Sequence, residues 1–248
     1  MLSPKLIYLR FLPLTLVVLL SFAPGTLASF AEAEDPLTAA VEAARRTHDE
    51  KQLQSVKVQL EQKIAQNAND AELYLDLARV EGYFADVYEM RKDKKAAAEA
   101  VDKAMDAVQR SIQLNDKSAD AHSLLADLYG RKISMGNGMF AGPKFGPKVK
   151  EENAKAMAMD DKNPRVWASL GRQYLMAPKM FGGDTAKAIE SFQKSLAIDS
   201  TQDETWVWLC KTLQKQGDKR KAREAAQHAL SLNPQSPFAQ AAAASLEK

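Results

Sequence analysis

Four stretches of this chain open the same way, with a bulky anchor, then Leu three residues on, then a small residue. They are Tyr74-Leu77-Ala78, His122-Leu125-Ala126, Trp167-Leu170-Gly171 and Trp206-Leu209-Cys210. The anchors lie 48, 45 and 39 residues apart. A fixed order of residues at such a period is the mark of a stacked repeat, in which each unit buries its apolar face only against its neighbours. The last unit is the clearest. Trp206, Leu209, Cys210 and Leu213 precede Gly217, and Ala222, Ala226 and Ala229 follow it before Pro234. Apolar residues at three- and four-residue intervals on both sides of a glycine predict two amphipathic helices joined by a turn. The unit before it repeats this with Tyr174, then Ala188, Phe192 and Leu196. The segments 114–122, 159–167 and 197–206 each place a polar turn six residues before the next anchor.

An aromatic, Leu-Gly, Tyr, Ala, Phe, Ala and Pro in this order resembles the tetratricopeptide repeat (TPR) family. The resemblance implies an all-α fold, a right-handed superhelical array of antiparallel helix pairs. The family unit is about 34 residues, so the longer spacing here needs extra residues. Two long helices at 72–90 and 94–113 supply some of them. Inserted loops are expected to supply the rest, SMGNGMFAGPKFGPK at 134–148 and MAPKMFGGD at 176–184. Both fall between the helices of their unit and so on one edge of an array. The second loop also resembles a group of bacterial exported repeat proteins with Pro-x-x-Phe-Gly-Gly, here Pro178 to Gly183. The organisation expected is a signal peptide at 1–28, a linker and degenerate helix pair at 29–69 (helices at 36–46 and 50–66, Asp35 capping the first), the repeat array at 70–236 and a capping helix at 237–248.

The leader is read from Lys5 and Arg10 followed by FLPLTLVVLL, then small residues, with cleavage expected after Thr26-Leu27-Ala28 or Ala31-Glu32-Ala33. Its apolar run is shorter than the roughly 20 residues that span a bilayer, so a soluble, periplasmic or secreted protein is expected, without stable membrane insertion. No cysteine sits near the cleavage site for a lipid anchor. The net charge of +2 argues against non-specific nucleic-acid binding, which needs a basic surface. One cysteine, Cys210, and three scattered histidines offer no metal-ligand spacing or internal disulfide. No phosphate loop or nucleophile elbow is present. No catalytic residue, metal or cofactor is therefore assigned. Asp160 and Asp161 lack a companion base, and Asp184 is better read as a helix cap.

Candidate binding residues come from the inner face that the TPR resemblance assigns to the first helices. They are Arg79 and Tyr83, Asp127 and Arg131, Arg172 and Met176, and Lys211 and Lys215. Arg79, Arg172 and Lys211 occupy equivalent slots, and such a basic groove suits an acidic segment or a terminal carboxylate. The same charges would also make an ordinary solvated face. The Lys/Asn set of the chaperone-tail carboxylate clamp is incomplete. The expected loops carry Met139, Phe140, Phe145, Met180 and Phe181. These make either an adaptable lip for a partner or a mutual packing that extends the core, and the aggregation hazard of exposed Met and Phe favours packing. Trp206 and His122 are assigned to the core and Cys210 to a buried, inert slot. Trp208 is exposed or packs on the preceding unit, and His48 and His228 lie at the surface. The function expected is a non-enzymatic scaffold that binds a protein or peptide in the cell envelope. A small-ligand carrier accessory to transport, with a pocket under the loops, is the alternative.

Overall fold

The structure, a computed structural model, describes residues 36–136 and 138–247. The leader, both cleavage sites and the cap at Asp35 lie outside the described residues. Among the described residues eleven α-helices follow one another: α1 (Pro36–Thr47), α2 (Glu50–Gln66), α3 (Ala71–Met90), α4 (Lys94–Leu114), α5 (Ala119–Met135), α6 (Gly138–Met159), α7 (Pro164–Met176), α8 (Thr185–Ile198), α9 (Asp203–Gln216), α10 (Lys219–Leu232) and α11 (Pro237–Ala244). Successive helices pack as pairs, α1 with α2, α3 with α4, α5 with α6, α7 with α8 and α9 with α10, and each pair packs on the next. The first helices also touch in series, α3 to α5 to α7 to α9.

Short polar side chains start these helices. Asp70, Asp93, Ser118, Asn163, Asp184, Asp218 and Ser236 each accept an amide hydrogen from the first turn. Each such cap contributes about 1 kcal/mol. The six-residue offset has a physical basis. The Trp167 indole N–H donates to the Asp161 carbonyl at 2.7 Å and that of Trp206 to the Ser200 carbonyl at 2.9 Å. His122 Nε2 lies 3.2 Å from the Asp116 carbonyl. These three anchors thus pin the entry turns of their units with a ring nitrogen, which is why His substitutes for Trp. Gln240 does the same to the Pro234 carbonyl at 2.8 Å, so α11 stands where the first helix of another unit would begin.

Small residues allow the close crossings. A Cβ on Gly171 would lie 2.6 Å from the ring of Phe192, which is fully buried. The apolar core falls into two large clusters, one shared by α1 to α6 and one by α7 to α11. Between them a third, small cluster joins Ala119 of α5, Ala156 of α6 and Val166 of α7, with Met157. Polar contacts also cross this junction, including Asn153 to Gln173 at 2.9 Å and Ser169 to Asp127 at 2.8 Å.

One expected loop is a helix. Residues 138–148 belong to α6, although Pro143 and Pro147 lie inside it. An interior proline removes a helix hydrogen bond and costs about 3 kcal/mol, so local propensity alone argues for a loop. Packing overrides it: the Phe145 ring stacks on Tyr129 of α5 at 5.7 Å, and Val149 is buried. The other segment contains a three-residue 3₁₀ turn, Lys179–Phe181.

Candidate interaction surfaces

The first helices α3, α5, α7 and α9 bring the predicted groove residues together, but not as a row of available cations. Arg79 binds Asp76 at 2.7 Å and Asp120 of α5 at 2.5 Å. Asp120 in turn holds Arg165 and Asn163 of α7 at 2.9 and 2.6 Å. Arg131 pairs with Asp86 of α3. Arg172 makes a forked contact to both oxygens of Asp127, at 2.9 and 2.5 Å. Lys215 donates to the Leu175 carbonyl at 3.0 Å. Lys211 is exposed and lies over the rings of Trp208 and Phe238, at 4.7 and 5.9 Å. Desolvation pushes its ammonium below the ordinary lysine value, against the pull of Asp86 and Glu204. Met176 is exposed at the end of α7. The free basic groove is therefore corrected: its arginines are neutralised by carboxylates on neighbouring helices. Reading each helix's charge alone missed this, because the partners sit 41 to 45 residues away.

The chain's own first helix also reaches across the inner face. Arg45 of α1 reaches Asp203 and Glu204 of α9 at 2.8 and 2.9 Å, while holding Glu42 at 2.7 Å. Burial alone would lower Arg45, but Glu204, Glu42 and Asp203 outweigh it and hold the guanidinium above its ordinary value. Arg46 donates to the Leu232 carbonyl at 2.6 Å, and Asn233 donates to the Arg46 carbonyl at 3.0 Å and to Asp203 at 2.7 Å. His48, expected at the surface, is buried. Its ring meets Tyr83 of α3 and Phe238 of α11 edge-on, at 5.7 and 4.9 Å, and its Nε2 lies 3.4 Å from Asp86. Tyr83 is half-buried there, with its hydroxyl pushed well above the ordinary range by desolvation and by Glu204. Helix α1 and the turn after it thus fasten α3 to α9 and α11.

The edge made by the α5–α6 tip and the 3₁₀ turn is built differently. Met139 is 78% exposed, Phe140 73%, Met180 83% and Phe181 55%. The expected mutual packing is corrected: only Phe145 turns inward. The separation follows from α6, which carries Met139 and Phe140 out along a helix instead of folding them onto the second segment. That second segment is tightly tied. Phe181 and Gly183 donate to the Pro178 carbonyl at 2.9 and 3.0 Å, and Asp184 donates to the Tyr174 carbonyl at 2.9 Å. Gly182 takes φ +95°, and a Cβ on Gly183 would overlap the Ala177 carbonyl oxygen. The Gly-Gly pair is what this turn requires, and it fixes Met180 and Phe181 outward.

The other candidates resolve as follows. Trp206 is half-buried, packed against the second core cluster and stacked on the exposed His228 at 4.5 Å. Trp208 is half-buried beneath Lys211, with the Arg172 guanidinium 6.0 Å from its ring. Cys210 is buried and its thiol pushed up by desolvation. His122 is buried, with Nδ1 2.5 Å from Glu152. Asp184 caps α8. Among the described residues no cluster of His, Cys, Asp or Glu could hold a metal ion, and no helix is long and apolar enough to cross a membrane. An open polar cleft of about 540 Å³ lies beside the α1–α2 turn, Arg91 and Gln235, and a smaller one of about 180 Å³ between α2, α3 and α4. Neither lies under the exposed Met and Phe residues.

Residues 39–181 match the family model described as regulator of microtubule dynamics protein 1-3, and residues 182–246 match a tetratricopeptide repeat model. The first match covers more than half of the chain, which belongs to that family. A thermophilic TPR protein of Thermus thermophilus superposes with a TM-score of 0.60 at 14% identity, covering 85% of this chain and 98% of that one. PilF of Pseudomonas aeruginosa gives 0.47 at 20% identity, covering 71% and 67%. MamA gives 0.39 at 16% identity, covering 77% and 93%. The fold is thus that of a TPR array. No curated protein matches the chain.

Proposed function

We propose that this chain is an exported, non-enzymatic TPR scaffold that holds a protein partner in the cell envelope, and that the partner docks on the α5–α6 and 3₁₀-turn edge. The observation that carries this reading is the outward display of Met139, Phe140, Met180 and Phe181 on ordered backbone. Large exposed apolar side chains gathered on one edge mark an interaction surface, and Met adapts its shape to a partner. The inner face offers less, since α1 and its ion pairs occupy it. A small-ligand carrier finds less support, because the edge is open and the larger cleft is polar-lined.

The test is capture of the partner from cells that make the protein, using wild type and the variant Met139→Ser, Phe140→Ser, Met180→Ser, Phe181→Ser. Capture should be lost with the thermal melt unchanged. A partner retained by the variant would contradict the edge reading. Export is checked separately by fractionation and N-terminal sequencing of the mature protein, which should begin at Ser29.

A further inference from the structure

Resting on that reading of the edge, we infer that its partner is a short amphipathic helix with acidic flanks, about three turns long, laid along the first half of α6. The corner that would receive it has a wall and a floor. Lys150 of α6 points its ammonium at the 3₁₀ segment, 3.7 Å from where a Cβ on Gly182 would sit. The helix face that carries Lys150 therefore looks over that turn. By helical spacing the same face carries Gly146, Pro143 and Met139. Nothing lies within 4 Å of a Cβ on Gly146 or Gly142, so the wall is bare along its middle. From Lys150 up to Met139 it rises about 16 Å, at 1.5 Å per residue. Met180 and Phe181 lie at its foot. An apolar ledge of this length matches a helix of about eleven residues presenting anchors at i, i+3 or i+4, and i+7.

The charge of the corner sets the chemistry of the flanks. No Asp or Glu occurs between Asp127 and Glu151, or between Asp161 and Asp184. Lys144, Lys148, Lys150 and Lys179 are all exposed. None makes an ion pair with a carboxylate among the described residues, and Glu151, the nearest in sequence to the three on α6, is engaged by Lys155 at 2.8 Å. Lys144 and Lys148 turn to the α5 side of α6, over Phe145 at 5.0 Å and over Tyr129 at 5.3 Å, so Lys150 and Lys179 are the cations that border the corner itself. Apolar side chains bordered by unpaired ammonium groups complement an apolar stripe bordered by carboxylates, which would speed association and fix its register. A bilayer is a poorer fit, since a plane can meet the wall or the floor of a corner but not both. A second copy is also poorer, because a two-fold contact would set the same lysines against one another.

The experiment is a selection of displayed, helix-forming 15-residue peptides against the full chain. Binders are then measured on wild type, on Lys150→Glu, Lys179→Glu combined, and on Phe140→Ser, Phe181→Ser. Circular dichroism checks that each variant folds. Enriched peptides should be acidic with apolar residues at helical spacing, and both variants should weaken them at least about tenfold. Peptides that need Phe140 and Phe181 but show no acidic bias overturn this inference and leave the docking edge standing. Peptides indifferent to every edge substitution overturn both. An absence of enriched peptides overturns the inference too. So does lysine-dependent sedimentation with phosphatidylglycerol vesicles, or a dimer in ultracentrifugation that Phe140→Ser dissolves, if either replaces peptide binding.

Discussion

The inner face and the α5–α6 edge are both rich in basic residues, yet they differ in what those charges meet. On the inner face Arg45, Arg79, Arg131 and Arg172 each reach a carboxylate on another helix. On the edge Lys144, Lys148, Lys150 and Lys179 reach none among the described residues, and Met139, Phe140, Met180 and Phe181 of the same edge are exposed. The first arrangement fastens helices of different units together, with α1 as the strap. The second leaves charge and apolar area to a partner. Basic residues in equivalent slots of a repeat therefore say little about binding until their partners in the neighbouring units are known.

Breaking the strap should give the largest effect. Arg45→Ala leaves Asp203, which is 1% exposed, with only Asn233 beside it. Removing one partner of a buried pair costs about 3 kcal/mol or more, so the thermal midpoint should fall clearly. An unchanged melt would mean that α1 is not fastened through Arg45. On the edge a comparable loss requires the backbone. Gly183→Ala forces a Cβ into the Ala177 carbonyl and should cost about 2 kcal/mol while also abolishing partner capture. The side chains there should behave oppositely. Phe140→Ser should alter stability by no more than about 0.5 kcal/mol while weakening partner binding strongly, read by chemical denaturation beside a binding titration.

The smallest effect should be pH-dependent and confined to the inner face. Burial alone would raise Asp86, but Arg131 and His48 outweigh it and hold its carboxyl below the ordinary 3.8. Unfolding releases the carboxyl to its ordinary value, so at acid pH the unfolded chain binds the additional proton. The stabilisation is present above the ordinary value and is lost as pH falls through the depressed one. Asp86→Asn should therefore show a shallower loss of stability than wild type on going from about pH 5 to about pH 3. Equal slopes would remove Asp86 from the set of groups that matter.

The helical pairs were legible because their signals are local. Trp167 and Trp206 mark entry turns, Gly171 marks a crossing, and Asp184 marks a helix start. Two further anchors, His122 and Gln240, share the ring or amide nitrogen donor rather than an aromatic shape, so Gln240 was hidden from an aromatic pattern. Helix α6 was hidden by Pro143 and Pro147, whose local preference is overruled by Phe145 on Tyr129. His48 has no local mark of burial in the sequence, because the rings that enclose it, Tyr83 and Phe238, are 35 and 190 positions away. The candidate site was legible in composition, as Met and Phe among glycines, but not in arrangement. Whether those residues pack on each other depends on where α6 carries them.

The most direct measurement is site-specific photocrosslinking in cells that make the protein, with p-benzoyl-L-phenylalanine placed at Phe140 or Phe181 on the edge and at Tyr83 or Trp208 on the inner face. Docking on the edge predicts a crosslinked partner of one mass from both edge positions and none from the inner face. A partner crosslinked from Tyr83 or Trp208, with nothing from Phe140 and Phe181, would contradict it and return the binding site to the inner face.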